Sequence, residues 1–217
     1  KDYLANLGVN NSKVKVIMNG VDTNFFNFLN NKYLKRSSKT FLICYIGTIG
    51  MAHSVKTIIE AAKILNAKNN KLNIKFQIIG DGAERENIIK QSLYLNNVSV
   101  LPNIPKKQVL QYLDRSDAGL IHLKKNELYK TVIPSKMFEY MAMGVPILHG
   151  VQGESLEIIK RYKLGICFES ENPDSLCSAI LELYNNKALY YKMSKNCVTT
   201  AKIFKRETLG IKMLEEI

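Results

Sequence analysis

The amino-acid sequence predicts an α/β fold, a doubly wound parallel sheet of the Rossmann-like kind, from three observations. Short apolar runs rich in β-branched residues recur along the chain from residue 41 onward. Each run is followed by a stretch with the apolar period of an amphipathic helix. Several runs are nearly continuous in their apolar character, which is typical of parallel strands buried on both faces. Strands and helices that alternate in this way favour a sheet covered by helices on both sides.

The first unit shows the pattern most clearly. The run FLICYIG at 41–47 predicts a buried strand that ends in glycine. Ser54 can then cap a helix. The apolar residues of that helix fall on one face: Val55, Ile58, Ile59, Ala62 and Leu65.

Five further strand and helix units follow in order. Their predicted strands are IKFQIIG (74–80), VSVLP (98–102), AGLIHL (118–123), PILHG (146–150) and GICF (165–168). Their predicted helices are AERENIIKQSLYL, a helix begun at Pro105 with Val109, Leu110 and Leu113 inward, a helix begun at Pro134, ESLEIIKRY, and PDSLCSAILELYNN.

The two ends of the chain depart from this repeat. Residues 1–40 predict a short helix, a strand VKVIMNG, a turn and a polar connecting segment, NNKYLKRSSK. Residues 41–186 form the predicted Rossmann-like domain. Residues 187–217 predict two helices, at about 187–203 and 206–216, which cap the domain or cross onto a neighbour.

Composition narrows the class of protein. A hydrophobic content of 46% is typical of a globular chain. No apolar run reaches the roughly 18 to 20 residues of a membrane span, and the opening Lys1-Asp2-Tyr3 does not resemble a signal peptide, so we expect a soluble, cytoplasmic protein. The cysteines form no CxxC, which favours reduced thiols over a zinc site or disulfides: Cys44, Cys167, Cys177 and Cys197.

The formal net charge of +12 indicates attraction to anionic partners such as phosphate esters, anionic lipid or nucleic acid. The basic residues are scattered, and no Arg-rich or aromatic-interleaved patch is typical of a nucleic-acid platform. We therefore predict no nucleic-acid partner, and a solvated basic surface accounts for most of the lysines.

The loop GTIGMAHS follows the first predicted strand, where the ligands of such sheets bind. Gly47 and Gly50 allow backbone amides to approach a phosphate beside a helix N-terminus. A tight turn explains the same glycines, and both interpretations stay open. The three-glycine dinucleotide fingerprint and the P-loop are both absent from the sequence.

The segment IPSKMFEYMAMG carries polar residues on a helix that is otherwise apolar. With Pro134 in the first turn, Ser135, Lys136 and Glu139 share one face. A lysine and open amides suit a phosphate, and the carboxylate can accept hydrogen bonds from the two hydroxyls of a ribose. An ordinary Lys136–Glu139 surface pair is the alternative interpretation.

Three histidines lie at strand ends or in the loops beyond them: His53, His122 and His149. No two have metal-ligand spacing, so no metal site is predicted. His53 lies beside the glycine loop and can donate to a phosphate oxygen, whereas His122 and His149 fit structural roles equally well. No Ser-His-Asp or Cys-His arrangement supports a nucleophilic hydrolase.

Five segments together resemble the C-terminal half of family-four retaining glycosyltransferases with the GT-B fold. These are VIMNGVDTNFF (16–26), YIGTIGMAHSVKTIIEAA (45–62), FQIIGDGAERENI (76–88), VSVLPNIPKKQVLQYLDRSDAGLIHL (98–123) and IPSKMFEYMAMGVPILHGVQGESLEII (133–159). The G-x-x-G-x-A and P-S-K-x-x-E-Y-M-A patterns are similar to those of bacterial surface-polysaccharide enzymes. The resemblance implies that a nucleotide-binding half of a GT-B fold is present.

The resemblance also implies an activity. Such enzymes transfer a hexosyl or N-acetylhexosaminyl group from a nucleotide diphosphate sugar, often a UDP sugar, to a lipid-linked acceptor in capsule, O-antigen or exopolysaccharide synthesis. The acceptor domain is expected to precede Lys1, so the isolated half is expected to be inactive. No cofactor or metal is expected. Peripheral contact with an anionic membrane is expected. A non-catalytic nucleotide-sugar-binding module and a basic scaffold are the alternatives.

Twelve donor-binding positions follow from the resemblance: Gly47, Thr48, Gly50, His53, Asn103, Ile104, Thr131, Ile133, Pro134, Ser135, Lys136 and Glu139. The amides of 131–135 are expected to meet the phosphates and the sugar, and Glu139 the ribose. Residues 47–50 are expected to line the phosphates from the other side, and the turn at 102–104 is expected to flank the base. Gly153 is expected to be structural.

The sequence departs from the family pattern at several of these positions. Many members have an arginine and a lysine where this chain has Thr48 and His53, a loss for which Lys136 compensates. Many also have a glutamate in place of Thr131, and glycines in place of Val132 and Pro134. These departures affect the expected sugar more than the expected nucleotide.

Overall fold

The computed structural model describes residues 1–26, 40–68 and 72–216. Within these residues six strands form one parallel sheet: β1 (Phe41–Ile46), β2 (Ile74–Ile79), β3 (Val98–Leu101), β4 (Ala118–His122), β5 (Ile147–Gly150) and β6 (Gly165–Cys167). Each strand is one residue shorter than its predicted run. The predicted doubly wound α/β class is confirmed.

The strand order is β3-β2-β1-β4-β5-β6. The chain moves outward from β1 to β3 and then returns to place β4 on the other side of β1. The winding therefore reverses between β1 and β4, the place where open α/β sheets leave a crevice beyond their carboxyl ends. Ile43 pairs with Ala118 across this switch point.

The predicted helices are present, with ends shifted by a few residues as helix ends commonly are. The α-helices of the described residues are α1 (Asp2–Asn6), α2 (Lys56–Lys68), α3 (Arg85–Ser92), α4 (Lys106–Arg115), α5 (Ser135–Ala142), α6 (Glu154–Tyr162), α7 (Pro173–Asn185), α8 (Lys187–Ala201) and α9 (Arg206–Leu214).

Alternate residues of β1 divide the core between the two faces of the sheet. Ile43 and Tyr45 join a cluster with α2 and α7, and all five predicted apolar residues of α2 are buried in it. Cys44 and Ile46 face the opposite way and join a cluster with α4, α5 and α8. The period-two alternation of a strand thus places α2 and α5 on opposite faces of the sheet.

Helix α8 packs against the same domain. The Ser194 hydroxyl donates to the Gly144 carbonyl oxygen at 2.6 Å, just beyond α5. After α8, the Val21 amide donates to the Phe204 carbonyl oxygen at 2.9 Å and so joins the start of the chain to its end. Helix α8 therefore caps the domain, which is one of the two arrangements predicted for this part of the chain.

The predicted strand VKVIMNG is wrong. Residues 14–20 form no ladder, and Val21 alone makes an isolated bridge with Lys205. Val16 is 61% exposed, because no neighbouring strand in the described residues pairs with this stretch and an extended segment needs such a partner to become a strand.

The predicted polar connector NNKYLKRSSK lies outside the described residues. The division of the chain at residues 40 and 186 stays a prediction. None of the helices in the described ranges has both the length and the apolar character that a membrane crossing requires.

Candidate functional site

A cleft of about 290 Å³ opens at the carboxyl ends of β1 and β4, where the winding of the sheet reverses. We call it the β1–β4 cleft. Its lining residues are Tyr45, Ile46, Gly47, Thr48, His53, Leu120, Ile121, His122, Leu123, Val132, Pro134, Ser135 and Lys136. Six predicted site residues are therefore brought together in one place: Gly47, Thr48, His53, Pro134, Ser135 and Lys136.

The first wall of the cleft, the β1 wall (residues 47–54), is held by the loop that follows β2. The Gly47 amide donates to the Ile79 carbonyl oxygen at 3.0 Å, and the Ile49 amide donates to Asp81 at 2.8 Å. The approach is so close that a Cβ on Gly80 would overlap the Gly47 carbonyl oxygen. These two amides are therefore committed to the fold.

A side chain of strand β1 also holds the β1 wall in place. The Tyr45 hydroxyl donates to the Thr48 carbonyl oxygen at 2.6 Å, and burial raises the pKa of Tyr45, which keeps this donor protonated. The amides of Thr48 and Gly50 have no protein acceptor in the described part of the chain. They are two backbone donors that this wall can offer to a ligand.

The second wall, the β4 wall (residues 132–136), contains the start of α5. Pro134 precedes the helix, and its carbonyl oxygen accepts from the Met137 amide at 3.0 Å. The amides of Ser135 and Lys136 stand in the first turn, where no intrahelical acceptor exists. They point outward from the positive end of the helix dipole, a favourable arrangement for an anion.

Tyr140 fixes this helix against the neighbouring strand. Its ring is fully buried in a space that Gly119 leaves by having no Cβ. Its hydroxyl lies 3.4 Å from the Ile46 amide and 3.5 Å from the Cys44 carbonyl oxygen, both in β1. The position of the α5 start relative to β1 is thereby set by a buried contact across β4.

Lys136 and Glu139 form an ion pair, with Nζ 2.9 Å from Oε2. The pair foreseen as the alternative to ligand binding is thus present. The Glu139 side chain is 17% exposed, so it is neither fully solvated nor sealed in the core. Lys136 also lines the cleft, and it is the one lysine or arginine among the lining residues.

The histidines differ in their surroundings. Burial lowers the pKa of His53, whose ring lines the cleft and whose Nδ1 is enclosed without a partner among the described residues. Burial also lowers the pKa of His149 to about 4; this residue of β5 has Nε2 3.1 Å from the Ser155 hydroxyl. His122 is buried and hydrogen-bonded to two loops.

The other six predicted positions lie outside the cleft lining. Gly50 lies beside Thr48 and His53 within the β1 wall, and Glu139 lies one turn into α5. Asn103 is exposed, and Ile104 packs against the α4 and α5 core. Thr131 ends a short helical turn, Glu127–Thr131, and Ile133 faces a neighbouring hollow.

That neighbouring hollow is larger, about 820 Å³, and lies beside α6. It is lined by Met18, Ile133, Glu154, Glu157, Ile158, Lys160, Arg161, Tyr162 and Phe204. No residue of β1 or β4 reaches it. Gly153, just before α6, packs against the Lys130 backbone so closely that a Cβ would overlap it, which is a structural role.

Several lining residues escaped the pattern-based assignment: Tyr45, Ile46, Leu120, Ile121 and Leu123. All belong to the last residues of β1 and β4 or follow them directly. Their signal in the sequence was simply their place at the end of a predicted strand. It is a weak signal, because buried strand residues of the core have the same composition.

A parallel Rossmann-like sheet with a cleft at its switch point defines the doubly wound class of α/β proteins. Residues 28–202, most of the chain, match the family described as "Glycosyl transferases group 1". The chain therefore belongs to the group 1 glycosyltransferase family.

The relatives point the same way. The Escherichia coli UDP-Gal:alpha-D-GlcNAc-diphosphoundecaprenol alpha-1,3-galactosyltransferase is 28% identical over 205 residues, which cover 88% of this chain and 50% of the relative. The chain spans about half the length of the curated relatives it matches.

Solved structures share the fold. Anabaena Alr3699/HepE in complex with UDP has a TM-score of 0.80 and 17% identity, over 99% of this chain and 60% of that chain. The same protein in complex with UDP-glucose has a TM-score of 0.78. The C-terminal domain of the group 1 glycosyltransferase LpcC from Francisella tularensis has a TM-score of 0.65 and 19% identity, over 85% of this chain and 97% of that domain.

Proposed function

We propose that the β1–β4 cleft binds the donor of a retaining, family-four glycosyl transfer, a UDP sugar. The observation that carries the proposal is the meeting of the open amides of α5, Lys136 and the β1 wall at the switch point of a group 1 glycosyltransferase fold. In this assignment Glu139 accepts hydrogen bonds from the ribose hydroxyls. UDP and UDP-glucose complexes of the structural neighbour Alr3699/HepE support the choice of nucleotide.

The main electrostatic task of the protein is to stabilise the diphosphate as it leaves. Glycosyl transfer with retention passes through an oxocarbenium-like state in which the bond from the anomeric carbon to the diphosphate oxygen breaks and negative charge gathers on that oxygen. The acceptor oxygen bonds to the same face of the anomeric carbon, and its proton passes to the base expected in the acceptor domain. Preorganised donors aimed at that charge lower the barrier. The Ser135 and Lys136 amides and the Lys136 ammonium are the proposed donors, acting without a divalent ion.

The acceptor is proposed to be a lipid-linked polysaccharide precursor, as in the name of the Escherichia coli relative. The group that deprotonates the acceptor hydroxyl is expected in a preceding acceptor domain, so the 217 residues are expected to bind donor and transfer no sugar. The net charge of +12 is expected to assist contact with anionic lipid. Equal sedimentation of the chain with neutral and anionic vesicles counts against that contact.

Calorimetric titration of the chain with UDP, UDP-N-acetylglucosamine, GDP-mannose and a random oligonucleotide tests the donor proposal. We expect saturable UDP binding that persists in EDTA. If the chain binds none of the three nucleotides but binds the oligonucleotide in a salt-sensitive way, it is a basic scaffold instead. Tight binding of GDP-mannose in preference to UDP rejects the proposed nucleotide, and loss of UDP binding in EDTA rejects metal independence.

A further inference from the structure

His122, the last residue of β4, joins three loops at the base of the β1–β4 cleft. Its Nδ1 lies 2.9 Å from the His53 carbonyl oxygen, in the β1 wall. The Glu171 amide, in the loop after β6, donates to its Nε2 at 2.9 Å. The imidazole is 2% exposed, so both contacts are shielded from water. One buried ring therefore links the ends of β1, β4 and β6.

The two closest partners determine the tautomer of the ring; the Ser170 hydroxyl lies farther away, 3.5 Å from Nε2, and donates to the Leu123 carbonyl oxygen. An amide can only donate, so Nε2 of His122 must be the unprotonated acceptor. A carbonyl oxygen can only accept, so the hydrogen of the neutral ring must lie on Nδ1. A doubly protonated ring would direct a second N–H at the Glu171 amide. Burial lowers the pKa of His122, which agrees with a neutral ring.

The surroundings hold this ring in one orientation. Phe168 stacks on it with the ring centres 5.7 Å apart and an interplanar angle of 20°. Gly150 makes room for the stack, since a Cβ there would lie 2.8 Å from His122 Cδ2. The neighbouring Lys124 amide donates to the Ala52 carbonyl oxygen at 2.8 Å, a second link between the same loops.

These hydrogen bonds reach the β1 wall at the backbone that carries the imidazole of His53. Ser54, the next residue, adopts a left-handed backbone conformation with φ 44°, which a non-glycine residue holds only when its neighbours constrain it. The His53 side chain projects into the cleft from this constrained turn. Its direction therefore depends on the position of its own carbonyl group, which His122 holds.

We propose that His122 is a positioning residue of the donor site: its Nδ1–H, presented to the His53 carbonyl oxygen, holds the β1 wall in the orientation that faces the diphosphate. The inference rests on the proposed function, because it concerns the phosphate part of the donor. It assigns to a buried histidine a role in phosphate recognition through the wall that its hydrogen bond holds.

Two substitutions separate the two hydrogen bonds of the ring. In His122→Asn the amide nitrogen takes the place of Nδ1 and can still donate to His53. In His122→Gln the amide reaches the place of Nε2, which preserves an acceptor for the Glu171 amide and leaves the His53 carbonyl oxygen unpaired. His149→Asn is the matched control, a change of the buried histidine on the adjacent strand, which contacts Ser155 and does not line the cleft.

Binding of UDP and of uridine is measured by calorimetry for all four chains, with thermal unfolding alongside. We expect His122→Gln to weaken UDP binding about five- to tenfold while uridine binding stays unchanged, since one hydrogen bond that orients the β1 wall is lost. We expect His122→Asn and His149→Asn to stay within about twofold of wild type. A structural defect alone lowers UDP and uridine binding together, and that result overturns the inference.

Wild-type UDP binding distinguishes the two proposals. If the wild-type chain binds no UDP, the proposed function and this inference both fall; if wild type and His122→Gln bind UDP equally, the inference alone falls. A nitrogen-15 spectrum of the wild-type imidazoles keeps the test decisive should His122→Gln not fold. The Nδ1–H tautomer is expected at His122, and the Nε2–H tautomer overturns the inference.

Discussion

The two walls of the β1–β4 cleft occupy similar places in the fold and differ in their hydrogen bonds. Each lies in the connection from a strand of the sheet to the helix that follows it, β1 to α2 and β4 to α5. In the β1 wall the Gly47 and Ile49 amides are bonded to the end of β2 and the loop after it, and only some of the amides between and beyond them stay open, whereas the Ser135 and Lys136 amides of the β4 wall are both open. Glycines in a loop therefore indicate close approach, and not necessarily free donors.

The walls also differ in charge. The β4 wall carries the Lys136 ammonium beside the positive end of α5. The β1 wall carries His53, whose pKa is lowered by burial, so its ring is neutral at pH 7. We infer that the β4 wall supplies most of the attraction for a diphosphate and that the β1 wall supplies the shape that encloses it.

The largest effect is expected from breaking the shape of the β1 wall. In Gly80→Ala the new Cβ overlaps the Gly47 carbonyl oxygen, and the backbone must shift. We expect the free energy of unfolding to fall by about 2–3 kcal/mol, measured by urea denaturation. Gly210→Ala is the control, because nothing lies within 4 Å of its Cβ and the change favours α9. Equal stability of the two variants contradicts the contact between the loops.

The next effect tests the ribose contact behind the β4 wall. Glu139→Ala is expected to weaken UDP binding about 10- to 100-fold, because hydrogen bonds to a charged group are lost. The matched control is Glu127→Ala, which removes the carboxylate of the similarly spaced Lys130–Glu127 pair, at 2.7 Å, on an exposed turn. Calorimetry measures the UDP affinity of both variants. Equal affinities reduce Glu139 to half of an ordinary ion pair.

A smaller effect is expected from the charge of the β4 wall. Lys136→Met keeps the aliphatic stem and removes the ammonium, so UDP binding is expected to weaken about fivefold while uridine binding is retained. Lys130→Met serves as the control, since Lys130 pairs with Glu127 outside the cleft. A loss of uridine binding of the same size places the contribution of Lys136 in packing and not in charge.

The smallest effect concerns the β1 wall and pH. The pKa of His53 is lowered from 6.5, so the ring loses its proton below pH 6.5 and stays neutral as the pH rises further. The last phosphate ionisation of UDP has a pKa of about 6, so it is nearly complete by pH 7. Between pH 7 and pH 8.5 we therefore expect UDP affinity to change by less than about twofold. A steady loss of affinity across this range indicates a cationic His53 and removes the contrast in charge between the walls.

Local periodicity was sufficient to predict the six strands and the helices that follow them. Strand β1 was predicted as FLICYIG, and α6 begins and ends at the predicted residues, Glu154 and Tyr162. These elements follow from contacts between neighbours in the chain. The strand predicted for VKVIMNG was wrong because its apolar pattern is local, whereas a strand also requires a partner strand elsewhere in the chain.

The candidate site was predicted only in part. His53 and Lys136 were selected for their chemistry and Thr48 by the family resemblance, and the structure gathers them in one cleft. Tyr140, buried and aligned with the packing face of α5, gave no sign that its hydroxyl reaches β1. Such a contact joins residues 94 positions apart, and no local pattern encodes it.

The sequence by itself determined the alternation of strands and helices and the residue types at the strand ends, because both depend on short-range spacing. Only the tertiary structure decided that β4 lies beside β1, and thus that the β1–α2 connection and the start of α5 meet at one cleft. It also decided which amides are bonded and that His122 is held between two loops. These outcomes depend on which distant groups meet in the folded chain, since a donor stays open or is satisfied only relative to its partner in space.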